Sequence, residues 1–154
     1  MIRYLLLSFT LFASAYAYAQ DFLNERPIIG ILSKPFDSKD SANYTTNYIA
    51  ASYVKFYEGA GARVVPIHWD LPKEELKKVF DSVNGIAFPG GDLWLLSGED
   101  YTAYTLAGKY LYDLVIEANA NGDYFPLSAV CLGYEMLTLI ISEDPNIFVP
   151  LHDK

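Results

Sequence analysis

The chain has 154 residues, of which 52% are hydrophobic and 19% charged, with a formal net charge of −8. That length fits one domain of ordinary size, and the apolar share is enough for a packed core. The acidic balance, with no cluster of lysine or arginine to track a phosphate backbone, argues against nucleic acid as a partner.

At the N-terminus, Met1-Ile-Arg3 precedes an uncharged run from Tyr4 to Ala15, and Ala17-Tyr18-Ala19 forms a small-x-small cleavage pattern. Residues 1–19 therefore read as a signal peptide, leaving one domain over 20–154. The apolar stretch is short for a membrane span, so no membrane association is expected once it is removed. Asn43-Tyr44-Thr45 is a glycosylation sequon and agrees with a secretory route. Cys131 is the only cysteine. It cannot close an internal disulfide, so in an oxidising compartment it points to pairing between chains in a homodimer or to a reactive role.

Ile28–Leu32 is an apolar run of the kind that forms a strand buried on both faces, followed by a polar loop over Ser33–Asn43. Ile49, Tyr53, Phe56 and Ala60 recur at helical spacing and predict a helix over Tyr44–Ala60 with these residues on its apolar face, stopped by Gly59 and Gly61. Arg63–Ile67 is a second strand, Pro72–Phe80 a short charged helix, and Gly85–Phe88 a third strand that runs into Pro89-Gly90-Gly91. A helix is predicted over about 102–120, with Leu106, Tyr110, Leu114 and Ala118 on one face despite Gly108. Phe125–Val130 is a fourth strand, Tyr134–Ile141 a further helix, and Asn146–Leu151 a candidate fifth strand. Alternating strands and helices imply an α/β fold with a parallel sheet, right-handed crossovers and a functional edge at the C-terminal ends of the strands.

Cys131 stands at that edge, between a strand and a helix, where an α/β hydrolase keeps its nucleophile. Gly133, with no Cβ, permits the sharp reversal, and the following helix N-terminus favours an anionic sulfur. The bland reading is a small buried thiol. Gly90-Gly91 falls on the same edge and could present backbone N–H groups to a developing oxyanion; alone it would be an ordinary turn. Glu135, one turn into the helix, orients a base, bonds the loop, or simply complements the helix dipole. A thiol hydrolase also needs a general base and acid. Two histidines are present. His68 follows the second strand at the right height, but its adjacency to Cys131 depends on strand order. His152 lies beyond the candidate fifth strand, and a solvated surface position is the ordinary identity of both.

Six blocks, taken in order, resemble a known family: Arg26–Leu32, Tyr48–Lys55, Gly59–Pro66, Asn84–Gly91, Gly122–Pro126 and Cys131–Glu135. They are similar to the γ-glutamyl hydrolases, or folylpolyglutamate hydrolases, a secreted or lysosomal/vacuolar branch of the class I glutamine amidotransferase-like hydrolases. The resemblance implies a three-layer αβα sandwich and a small-molecule substrate, folate poly-γ-glutamate, cleaved without a metal or organic cofactor. It implies Cys131 as nucleophile, Glu135 as a supporting site residue, and N–H groups around Gly90, Gly91 and Leu132 as the oxyanion site. It also implies an extracellular, lysosomal or vacuolar destination. The sequence departs from the family in two respects. Ala129 stands where related elbows usually carry glycine, and the family's two further site histidines, one in a Gln-Trp-His-Pro-Glu-like motif, have no counterpart. The similarity runs from about Arg26 to Ile141, roughly the first half of a typical member, so a truncated gene model, a fragment or a degenerate copy is expected. Two alternatives to an active hydrolase follow: a binding-only remnant, and a small cysteine-elbow α/β protein with a redox or chaperone role.

Overall fold

The structure is a computed structural model that describes residues 24–35 and 47–148. The signal-peptide expectation, the Asn43 sequon and His152 lie outside the described residues.

Four strands form a parallel sheet: β1 (Ile28–Leu32), β4 (Arg63–Ile67), β5 (Gly85–Phe88) and β8 (Leu127–Ala129). Their spatial order is β4-β1-β5-β8, with Ile29 opposite Val64 and Gly85, and Phe88 opposite Ala129. Two-residue antiparallel pairs decorate the sheet, β2 (Lys34–Pro35) with β3 (Asn47–Tyr48) and β6 (Leu96–Ser97) with β7 (Asp100–Tyr101). Four helices accompany the strands among the described residues: α1 (Ala51–Gly59), α2 (Lys73–Phe80), α3 (Ala103–Ala120) and α4 (Leu132–Ser142).

The two faces of the sheet differ. On one face α2 packs on α3, α3 on α4, and α4 on β5 and β8. This side holds the main core, in which Ile67, Leu111, Met136 and Leu139 are fully buried and the Phe80 and Phe125 rings stack at 4.2 Å. Leu127 and Ala129 pack against that core. Ser128, between them, points the other way as strand alternation requires. There its hydroxyl meets that of Tyr57 on α1 at 2.5 Å. Helices therefore flank the sheet on both sides, in the αβα arrangement. Among the described residues no helix is long and apolar enough to cross a membrane.

Several expected elements differ from those observed. The first helix begins at Ala51 rather than Tyr44, because Asn47 and Tyr48 are drawn into β3 and Ala50 keeps an extended backbone (φ −65°, ψ 132°). None of its residues is buried, and Phe56 is 72% exposed, so the expected apolar face is not the packed one. Tyr53, Val54 and Tyr57, half-buried, turn to the sheet instead. On α3 the buried stripe runs through Tyr104, Ala107, Gly108, Leu111, Leu114 and Val115, and Leu106 is exposed. Gly108 is a contact point on that stripe, since a Cβ there would come within 2.7 Å of the Met136 sulfur. The fourth strand is shorter than expected, and the last helix starts at Leu132, directly after the cysteine. Asn146–Phe148 form a turn and irregular chain rather than the start of a strand.

Candidate active site

Cys131 occupies the reversal between β8 and α4, as the N-cap residue of the helix, and its side chain is exposed. Its backbone has φ 53° and ψ −119°, a conformation that L side chains rarely adopt. Such strain persists only where the surroundings over-determine it, and it collects at functional sites. Here the surroundings are specific. Val130 donates its N–H to the Phe88 carbonyl at 3.1 Å, Gly133 donates to Val130 at 3.0 Å, and Glu135 donates to the Cys131 carbonyl at 3.0 Å. Gly133 is pressed against the Phe88 carbonyl, whose carbon would lie 2.6 Å from any Cβ added at residue 133. This is the strand-turn-helix geometry of a nucleophile elbow.

The Pro89-Gly90-Gly91 turn at the end of β5 lies alongside. A Cβ at Gly90 would stand 3.0 Å from the Cys131 Cβ and would collide with the Tyr53 hydroxyl. One at Gly91 would meet the Lys34 Nζ and Cδ, each at 2.8 Å. The glycine pair thus lets Cys131, Tyr53 and Lys34 converge on one piece of backbone. No turn, loop or cap hydrogen bond to another described backbone group takes up the N–H of Gly91 or Leu132. Leu132 itself is buried, anchoring the first turn of α4 in the core.

Glu135 is exposed in that first turn. It lines a groove of about 530 Å³ shared with Leu93, Trp94, Leu139 and Phe148. Among the described residues its carboxylate takes no hydrogen bond or ion pair.

His68 does not approach Cys131. It follows β4 at one side of the sheet, whereas Cys131 follows β8 at the other, with β1 and β5 between. Three strand spacings separate those edges, roughly 14 Å. The imidazole is exposed. Sequence reasoning placed Tyr53 on a helix face and Lys34 in a polar loop. No local signal marks either as a neighbour of the cysteine, because both contacts cross the sheet edge between distant segments.

The peptidase C26 family model matches residues 27–142. γ-Glutamyl hydrolase of Bos taurus is 46% identical over 118 residues, covering 77% of this chain and 36% of the relative; that of Homo sapiens is 47% identical with the same coverage. γ-Glutamyl hydrolase B of Dictyostelium discoideum is 43% identical over 125 residues, 81% of this chain and 35% of the relative. The chain thus spans little more than a third of the length of these curated relatives. The match includes both the glycine turn and the strained cysteine, and the chain belongs to the peptidase C26 family.

Proposed function

We propose that this protein is a cysteine hydrolase that cleaves the γ-glutamyl bonds of folate poly-γ-glutamates through an acyl-enzyme on Cys131. The observation that carries the reading is the exposed, strained Cys131 beside the Gly90-Gly91 turn, in a chain whose relatives are named γ-glutamyl hydrolases. The Cys131 thiolate attacks the γ-amide carbonyl and a C–S bond forms. The oxyanion is received by backbone N–H groups around Gly90, Gly91 and Leu132. The C–N bond then breaks, glutamate leaves with a proton from a general acid, and water hydrolyses the thioester. Glu135 supports the elbow from the first turn of the helix. Export through the secretory pathway, to the exterior or to a lysosome or vacuole, belongs to the same proposal. A mature N-terminus near Gln20, found by N-terminal sequencing, would support it.

The general acid sets the test. His68 lies across the sheet from the thiol, and that position favours a second reading, in which this chain binds γ-glutamyl ligands without turning them over. An activated γ-glutamyl aryl ester separates the two, because its leaving group departs without being protonated. The hydrolase reading expects one γ-glutamyl adduct on Cys131 by mass spectrometry, absent in Cys131→Ala. With an amide substrate, a thiol that no general acid reaches is slower by about 10²–10⁴-fold, so the binding-only reading expects very slow glutamate release. An unmodified cysteine after exposure to the ester would remove the hydrolase reading.

A further inference from the structure

We propose that Lys34 is a specificity residue of the Cys131 site, its ammonium receiving a carboxylate of the substrate whose reacting carbonyl meets the thiol. The identity of that substrate as a γ-linked oligoglutamate rests on the functional reading above. Lys34 follows β1 at the C-terminal edge of the sheet and is held there by its neighbours. Ser33, buried, donates its N–H to the Ile67 carbonyl at 2.8 Å and its hydroxyl bonds the Asn47 side chain at 2.5 Å; Asn47 in turn donates to Asp70 at 3.1 Å. The backbone of Lys34 pairs with Tyr48, and its ammonium lies 5.6 Å from the Tyr48 ring centroid. From this anchored start the half-buried side chain runs onto Gly91, the neighbour of the glycine that touches Cys131. Consecutive Cα atoms are about 3.8 Å apart, so the Lys34 ammonium and the Cys131 Cβ pack on neighbouring residues of one turn.

The ammonium there has no anionic partner among the described residues, and Asp92, the residue after Gly91, is exposed and not paired with it. A half-buried lysine whose charge meets no carboxylate among the described residues is set up to answer one on a ligand. A γ-linked glutamate chain supplies that charge, since each residue keeps a free α-carboxylate a few bonds from the amide that is cut. A neutral substrate would leave the lysine unpaired, so the same residue selects against it.

The test does not depend on turnover. In the 154-residue chain, Cys131 is the only thiol, so its alkylation by maleimidopropionate, which carries a carboxylate, can be compared with that by uncharged N-ethylmaleimide. Lys34→Gln is expected to lower the ratio of the two rates about three- to five-fold, and Lys34→Arg to keep it within about two-fold. The wild-type preference should also shrink in about 1 M salt, where the Debye length is about 3 Å. The N-ethylmaleimide rate of each variant is the denominator of its own ratio, so a change in the thiol's intrinsic reactivity cancels, and labelling by it shows that the elbow is open. An equal ratio in wild type and Lys34→Gln overturns the proposal even if the γ-glutamyl ester acylates Cys131. A lowered ratio in a chain that the ester fails to acylate removes the hydrolase reading and leaves an anion-selecting thiol.

Discussion

Gly133 lies directly against the carbonyl group of Phe88, so the first turn of α4 rests on the end of β5 with no room for a side chain between them. The contact involves main chain on one side and a buried strand on the other, and neither can move aside cheaply. Gly133→Ala is therefore expected to destabilise the fold by about 2 kcal/mol or more and to displace Cys131. Gly59→Ala, at a position with nothing within 4 Å of an added Cβ, is the control and should be neutral or slightly stabilising. Denaturant midpoints of the two variants decide the matter, and equal midpoints would contradict the close approach.

The exposure of Cys131 makes a second expectation direct. Iodoacetamide should add one carbamidomethyl group to the folded chain at the elbow, at a rate little changed by prior denaturation. Modification only after unfolding would mean that the thiol is a core residue.

Tyr104 is 2% exposed, its hydroxyl meets no hydrogen-bond partner among the described residues, and burial pushes its pKa well above the ordinary tyrosine value of 10.0. The folded state therefore holds the neutral phenol more tightly than the unfolded state does. Its contribution to stability is full below the unfolded pKa, near pH 10, and is lost as pH rises from there towards the folded value. The loss for this one group approaches about 1.4 kcal/mol per pH unit. Tyr104→Phe removes both the unpaired hydroxyl and this alkaline dependence, so the variant should be at least as stable at pH 7 and should lose less stability than wild type between about pH 10 and pH 12. Parallel pH-stability curves would refute the burial of this phenol.

Asn119 ties the end of α3 to the segment that leads into β8, the strand before the cysteine. Its Nδ2 donates to the Val115 and Phe125 carbonyls, each at 2.8 Å, and its Oδ1 accepts from the Phe125 N–H at 3.3 Å. Asn119→Ala leaves the Phe125 groups without this partner and should cost about 1–2 kcal/mol. Because Phe125 leads into β8, the alkylation rate of Cys131 should change in the same variant, which a thermal melt and a labelling time course together would reveal.

Much of this architecture was legible along the chain. The apolar runs at Ile28–Leu32 and Gly85–Phe88 are buried strands because strands covered on both faces need no polar alternation. The elbow was equally readable, since a cysteine between strand and helix with glycine two residues on is a local pattern with a local cause. The six family blocks carried the resemblance that the peptidase C26 match bears out.

What the chain could not reveal by itself is what lies beside what. Periodicity placed His68 at the correct edge of the sheet, but only the order β4-β1-β5-β8 sets it across the sheet from Cys131. The helical spacing of Tyr53 and Phe56 suggested one apolar face, yet the packed structure turns Tyr53 to the glycine turn and leaves Phe56 exposed. A hydrophobic pattern reports which side chains gain by leaving water, not which surface receives them. Lys34 gave no signal at all, because its place over Gly91 arises from pairing between segments that local propensity does not connect. Residue types along the chain set the elements and the elbow. The convergence of cation, glycine turn and thiol was decided by the tertiary fold, in which strand pairing brings the ends of β1, β5 and β8 to one edge.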